Sequence, residues 1–123
     1  MKISAHIAIF VVAIEHLSFF LLETFLWPTP IGQRAFEITP EIAQASWFVA
    51  KNQGVYNALL ALGLLATLWK PHFPGARAVR IYILAFITLV GLYGGLTTAP
   101  MILLVQAAPA AVALIFSWCQ PPN

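Results

Sequence analysis

Glu15, His16 and Glu23 stand inside an apolar run that opens the chain, and a second apolar run is interrupted by Asn52-Gln53-Gly54-Val55-Tyr56-Asn57. Tyr93 and Thr97 follow one helical turn apart, and Gln106 stands in a later apolar stretch. These residue types suit proton exchange and the holding of a small polar or amphipathic ligand. An imidazole or carboxylate can take up and release a proton, and amides and phenols can orient a ligand or stabilise developing charge. Hydrocarbon offers polar groups no partners. Side chains of this kind within a membrane span therefore face other helices, a cavity or a substrate path, and are functional candidates by default.

Other chemistries are poorly served. Glu15, His16 and Glu23 supply oxygen and nitrogen donors but lack a second histidine at helical spacing, so no metal site is expected. Ser18 has no dedicated base, and the single cysteine, Cys119, excludes an intramolecular disulfide and any multi-cysteine metal site. There is no glycine loop to cradle phosphate, and no cofactor is expected. The six basic residues are scattered rather than clustered, which argues against nucleic acid as a partner.

The elements that must position these side chains follow from composition. With 123 residues, 61% hydrophobic and only 8% charged, and a mean hydropathy of +0.88, the chain has too little charge to hydrate a soluble surface. The expected fold is all-α: one integral membrane domain over residues 1–123, forming a four-helix transmembrane bundle. Its spans are expected at about 3–27, 47–69, 78–99 and 101–119, each close to the ~20 residues a bilayer core requires. Lys2 before an apolar run resembles the start of a signal peptide, but Glu15 and His16 interrupt that run and no small-residue cleavage pattern follows. A retained first helix is the reading adopted.

Residues 28–46 form the long connection, marked by Pro28, Pro30 and Gly32. Thr39-Pro40-Glu41 signals a helix start within it, with a capping hydroxyl, a proline suited to the first position and an acid at the positive end of the dipole. The loop is thus expected to be partly helical. The inner loop, 70–77, continues into Arg80, and this stretch carries Lys70, Arg77 and Arg80 without an acid. Positive loops stay cytoplasmic. Both termini are therefore expected inside a bacterial inner membrane, with loop 28–46 outside.

Depth follows from a rise of ~1.5 Å per residue, with Trp27 and Trp47 as interface markers. Glu23 then lies about 6 Å below the outer boundary and His16 about 16 Å, while Asn52 and Asn57 lie roughly 8 and 15 Å below Trp47. Tyr93 and Thr97 approach the outer end of the third helix, and Gln106 lies roughly 9 Å below Pro100 in the fourth. Helical spacing puts His16 and Glu23 on one side, Asn52 beside Tyr56, and Gln53 beside Tyr56 and Asn57. The expectation is an outward-facing polar pocket, walled by His16, Glu23, Asn52, Gln53, Tyr56, Asn57, Tyr93, Thr97 and Gln106, over an apolar floor.

The same positions carry a resemblance. Glu23-Thr24-Phe25-Leu26-Trp27, the block Asn52 to Asn57, Gly91-Leu92-Tyr93-Gly94-Gly95-Leu96-Thr97, and Gln106-Ala107-Ala108-Pro109 resemble the pattern of the DUF1304 family of small bacterial integral membrane proteins. The resemblance runs over nearly the whole chain and implies a four-helix membrane protein. The family name records an unknown function, so it implies neither reaction nor substrate.

Bland roles compete at each position. Asn and Gln in membrane helices often only join neighbouring helices, at roughly 0.6–2 kcal/mol each, and Tyr56 and Tyr93 can pack as aromatics with a satisfied hydroxyl. Gly91, Gly94 and Gly95 suit close helix packing. The carboxylates are harder to reconcile with a bland role, because an unpaired charge in the bilayer costs several kcal/mol. Three functional classes follow. The first is a proton-linked small-molecule transporter, expected to act as a homo-oligomer. The second is a membrane-embedded acid/base enzyme, isomerase-like, acting on a lipophilic substrate with His16 and Glu23 as candidate catalytic residues. The third is a non-catalytic subunit of a larger membrane complex.

Overall fold

In the computed structural model, which describes residues 2–120, every regular element is helical. The chain runs through α1 (Lys2–Leu21), a π-helical turn (Leu22–Leu26), α2 (Pro30–Phe36), α3 (Pro40–Trp69) and α4 (Ala76–Thr97). A second π-helical turn (Leu103–Ala107) then leads into α5 (Ala108–Trp118). The side chain of Lys2 lies outside the described residues.

Two stretches, Ile3–Leu26 and Ala76–Thr97, are long and apolar enough to cross a membrane, with mean hydropathies of 2.0 and 1.8. The other two expected spans do not reach that standard, each for a physical reason. α3 has the length, but Lys51, Asn52, Gln53 and Asn57 dilute its apolar character. The last apolar stretch, Leu103–Trp118, is shorter.

The connection between the first long helices is built by local capping. Thr29 caps α2, its hydroxyl accepting from Gly32 N–H at 3.5 Å, and Pro30 takes a first-turn position where its missing donor is no loss. α2 ends at Glu37, which takes a left-handed conformation (φ 53°), and Ile38 N–H returns to the Gln33 carbonyl at 3.0 Å. Gly32 is needed for close approach: a Cβ there would come within 2.7 Å of the Trp27 backbone. α3 starts at Pro40, where Thr39-Pro40-Glu41 signalled a helix start, and Thr39 Oγ1 accepts from Ile42 N–H at 3.3 Å. The Glu41 carboxylate is held below the usual range by its own backbone N–H and then by the Thr39 hydroxyl.

The chain divides into two compact units, residues 16–60 and residues 1–15 with 61–123. In the first, the Trp27 ring packs on Phe36 with centroids 4.6 Å apart, and Trp27 Nε1 donates to Ser46 Oγ at 3.0 Å. In the second, α4 packs on the second π-helical turn and α5. Gly91 and Gly95 make this possible, since a Cβ at Gly91 would lie 2.9 Å from Ala107 N and one at Gly95 would overlap the Leu103 side chain. α4 itself begins after Gly75, whose φ of 91° is a turn conformation that favours glycine.

Candidate functional site

The clearest polar contact within residues 16–60 joins Glu23 to Asn57, whose Nδ2 donates to Glu23 Oε2 at 2.7 Å. Two features of the structure bring them together. Glu23 lies in the π-helical turn Leu22–Leu26, a wide turn that re-aims side chains and often marks a functional position. The carbonyl of Thr24 in the same turn accepts from outside the helix, taking the Trp47 Nε1 proton at 3.2 Å. On the other side stands Gly54. A Cβ there would overlap Thr24 Oγ1 and lie 3.2 Å from the Phe20 carbonyl and 3.3 Å from Glu23 Cβ. The bare backbone of Gly54 thus lets α3 close on the π-helical turn, and Asn57, one turn further on, reaches the carboxylate.

Burial divides the polar block. Ala43, Ala50, Gly54, Asn57, Ala61, Leu64 and Thr67 make the buried stripe of α3, at the three- and four-residue spacing of one helix face. Asn52, Gln53 and Tyr56 fall outside this stripe and are exposed. Lys51, beside them, places its ammonium 3.7 Å from the Trp47 ring centroid. The depth counts of about 6 Å for Glu23 and 15 Å for Asn57 are at odds with their direct contact, because Trp47 lies farther along its helix from Asn57 than Trp27 does from Glu23.

The remaining candidates have individual settings. His16 is fully buried, with Phe19 edge-on to its ring at 5.6 Å. Tyr93 is exposed, and the exposed Thr97 turns its hydroxyl onto the Tyr93 carbonyl at 2.7 Å, the local bond a threonine makes within a helix. Gln106 is half-buried within the second π-helical turn. Tyr93, Thr97 and Gln106 belong to the unit of residues 1–15 and 61–123, whereas His16, Glu23 and the 52–57 block belong to the other. Two surface grooves, one lined by His6, Ile7, Phe10 and Leu68 and one between α4 and α5, have none of the candidate residues in their walls. No group of three or more His, Cys, Asp or Glu suited to a metal occurs among the described residues.

Sequence reasoning passed over one buried residue. Arg80, counted with the inner cations, is only 4% exposed. Its Nε donates to Thr67 Oγ1 at 3.3 Å, its Nη2 to the Thr67 carbonyl at 3.0 Å and its Nη1 to Gln120 Oε1 at 3.3 Å. The available signal was position: Arg80 is four residues into α4, where the apolar run is already under way.

The family of proteins of unknown function DUF1304 matches this chain over residues 10–118. The chain belongs to the DUF1304 family. That match takes in both π-helical turns, the Glu23–Asn57 pair and the glycines of α4. A relative from Lactococcus lactis subsp. lactis (strain IL1403), described as "Uncharacterized protein YpaA", is 38% identical over 111 residues, covering 87% of this chain and 90% of its own. No solved structure matches the chain.

Proposed function

We propose that this DUF1304 chain is an integral membrane protein of four spans, formed by Ile3–Leu26, the later part of α3, α4 and Leu103–Trp118. In this reading both termini are cytoplasmic, and the Glu23–Asn57 pair is the centre of an outward-facing site that binds a small polar or amphipathic ligand in exchange for a proton. Support for the membrane comes from the outside of the helices. Only 28% of each long apolar window is buried within the chain, whereas a core helix of a soluble protein would be largely covered. Side chains such as Leu89, Leu96 and Leu104, at 67%, 79% and 67% exposed, would then face lipid.

One observation carries the ligand site: a carboxylate in an apolar helix whose hydrogen-bond partner is a neutral amide. Asn57 orients Oε2 but brings no positive charge. Oε1 receives no hydrogen bond among the described residues. A proton or the cationic end of a ligand can therefore neutralise Glu23 in turn, which is the requirement for coupling one to the other. The test uses proteoliposomes with an entrapped pH-sensitive dye, challenged with small alkylammonium ions. Wild-type protein is expected to move protons in response, and Glu23→Gln to abolish the signal. Full flux in that variant rejects the role given to Glu23.

The exposed amides supply the second half of the proposal. In a bilayer Asn52 and Gln53 would otherwise face hydrocarbon, and each carries both donor and acceptor, so a second copy of the same face can satisfy them. A homo-oligomer is the assembly that fits. Replacing both by leucine is expected to shift detergent-solubilised protein toward monomer in light-scattering chromatography. An unchanged oligomer would place the interface elsewhere.

A further inference from the structure

A groove of about 310 Å³ runs between α4 and α5, lined by Ile81, Ala85, Leu114, Ile115, Trp118 and Cys119. Its wall is apolar along the length and ends at a cation. Arg77, Ile81 and Ala85 follow one another at four-residue spacing on α4, so the arginine extends the same row by one turn. Its Nη2 donates to the Trp118 carbonyl at 2.9 Å, and its guanidinium carbon stands 5.9 Å from the Trp118 ring centroid. Those contacts fix the side chain at the groove's end.

Among the described residues they leave its charge uncompensated. A guanidinium has five N–H donors, and a backbone carbonyl supplies no countercharge. Arg77 Nε is buried without a hydrogen-bond partner among the described residues, and the same is true of Gln120 Nε2, one residue beyond Cys119. The four acids of the chain are Glu15, Glu23, Glu37 and Glu41, so no acidic side chain occurs between residue 42 and the end of the sequence. An apolar trough with an unpaired cation at its mouth fits one class of molecule in both parts, a lipid with a negatively charged head.

We propose that this groove holds one anionic phospholipid of the cytoplasmic leaflet, with an acyl chain along Ile81, Ala85, Leu114 and Ile115 and its phosphate at Arg77. The proposal rests on the membrane reading above and is independent of the role of Glu23. Trp118 then sits at headgroup level, where tryptophan is favoured, and Arg77 is placed as basic residues on the inner side of membrane helices are when they bind lipid heads.

The full chain is extracted from membranes in mild detergent, placed in nanodiscs of phosphatidylcholine mixed with phosphatidylglycerol, and the lipid retained on the protein is measured by native mass spectrometry. Wild-type protein is expected to retain phosphatidylglycerol about fivefold over phosphatidylcholine, the preference that ~1 kcal/mol per basic residue at an anionic surface gives. Arg77→Gln is expected to bring the ratio to parity and Arg77→Lys to preserve most of it, with helicity measured on each variant to confirm folding. Ala85→Phe, which fills the trough and leaves the arginine in place, is expected to lower retention of phosphatidylglycerol. Equal retention of the two lipids by wild type, or an unchanged preference in folded Arg77→Gln, overturns the proposal. Retention and preference undiminished by folded Ala85→Phe would mean that Arg77 reads the headgroup without an acyl chain in the groove, and this also overturns the proposal. Recovery of the chain in the soluble fraction without detergent would instead overturn the membrane reading.

Discussion

Asn57→Leu is expected to cost on the order of 2 kcal/mol, because it removes the amide donor and leaves a half-buried carboxylate without its partner. Leucine keeps the number and branching of the side-chain heavy atoms and is no smaller, so the loss does not come from a cavity. Reversible unfolding in detergent mixtures, followed by helicity, reads the difference directly. A second substitution isolates the cause. Glu23→Gln in the Asn57→Leu background exchanges the carboxylate for a neutral group and is expected to recover about 1 kcal/mol, and subtracting the effect of Glu23→Gln in the wild-type background gives the pair's coupling. If Asn57→Leu costs the same whether residue 23 is Glu or Gln, the two side chains are energetically independent and the site loses its centre.

The second large effect concerns two glycines three residues apart on α4. Ala in place of Gly normally favours a helix by ~0.8–1 kcal/mol, and Gly94→Ala is expected to be neutral or stabilising on that account. Its added Cβ would lie 3.4–3.5 Å from the Ile102 side chain, an ordinary contact. Gly91→Ala is expected to go the other way by about 1–3 kcal/mol. There the Cβ meets Ala107 N at 2.9 Å and Ala107 Cα at 3.0 Å, and backbone cannot rotate aside as a side chain can. Thermal unfolding of the two single variants, measured side by side in one detergent, decides the point. Equal behaviour would mean that α4 and the second π-helical turn are not held as close as the structure has them.

The helical class and the capped start of α3 were legible in the sequence because both depend on neighbours along the chain. Apolar runs and Thr39-Pro40-Glu41 act over one or two turns, whereas Pro30, read as a loop marker, opens the short helix α2. Glu23 and Asn57 could also be singled out by type. What could not be read was their division of labour. The spacing of Asn52, Gln53, Tyr56 and Asn57 shows which are neighbours, but which side of α3 turns inward depends on where a second helix finds bare backbone, and Gly54 decides that. The burial of Arg80 was passed over for a related reason. A lone arginine near a loop looks like a solvated cation until Thr67 and Gln120 are brought to it from elsewhere in the fold. The π-helical turns were invisible because nothing in Leu22–Leu26 or Leu103–Ala107 departs from an ordinary helical composition.

Those two turns bear on how relatives of this chain should be compared. A π-helical turn amounts to an α-helix that has accommodated one extra residue, so its presence is a matter of chain length between fixed points rather than of letters. A relative shorter by one residue between His16 and Trp27 could keep a glutamate, an aromatic pair and the whole block around its glycine, and still carry the carboxylate about 100° round its helix from the amide. Gap placement within that stretch, more than percentage identity, separates relatives that share the Glu23–Asn57 geometry from those that share only its residues.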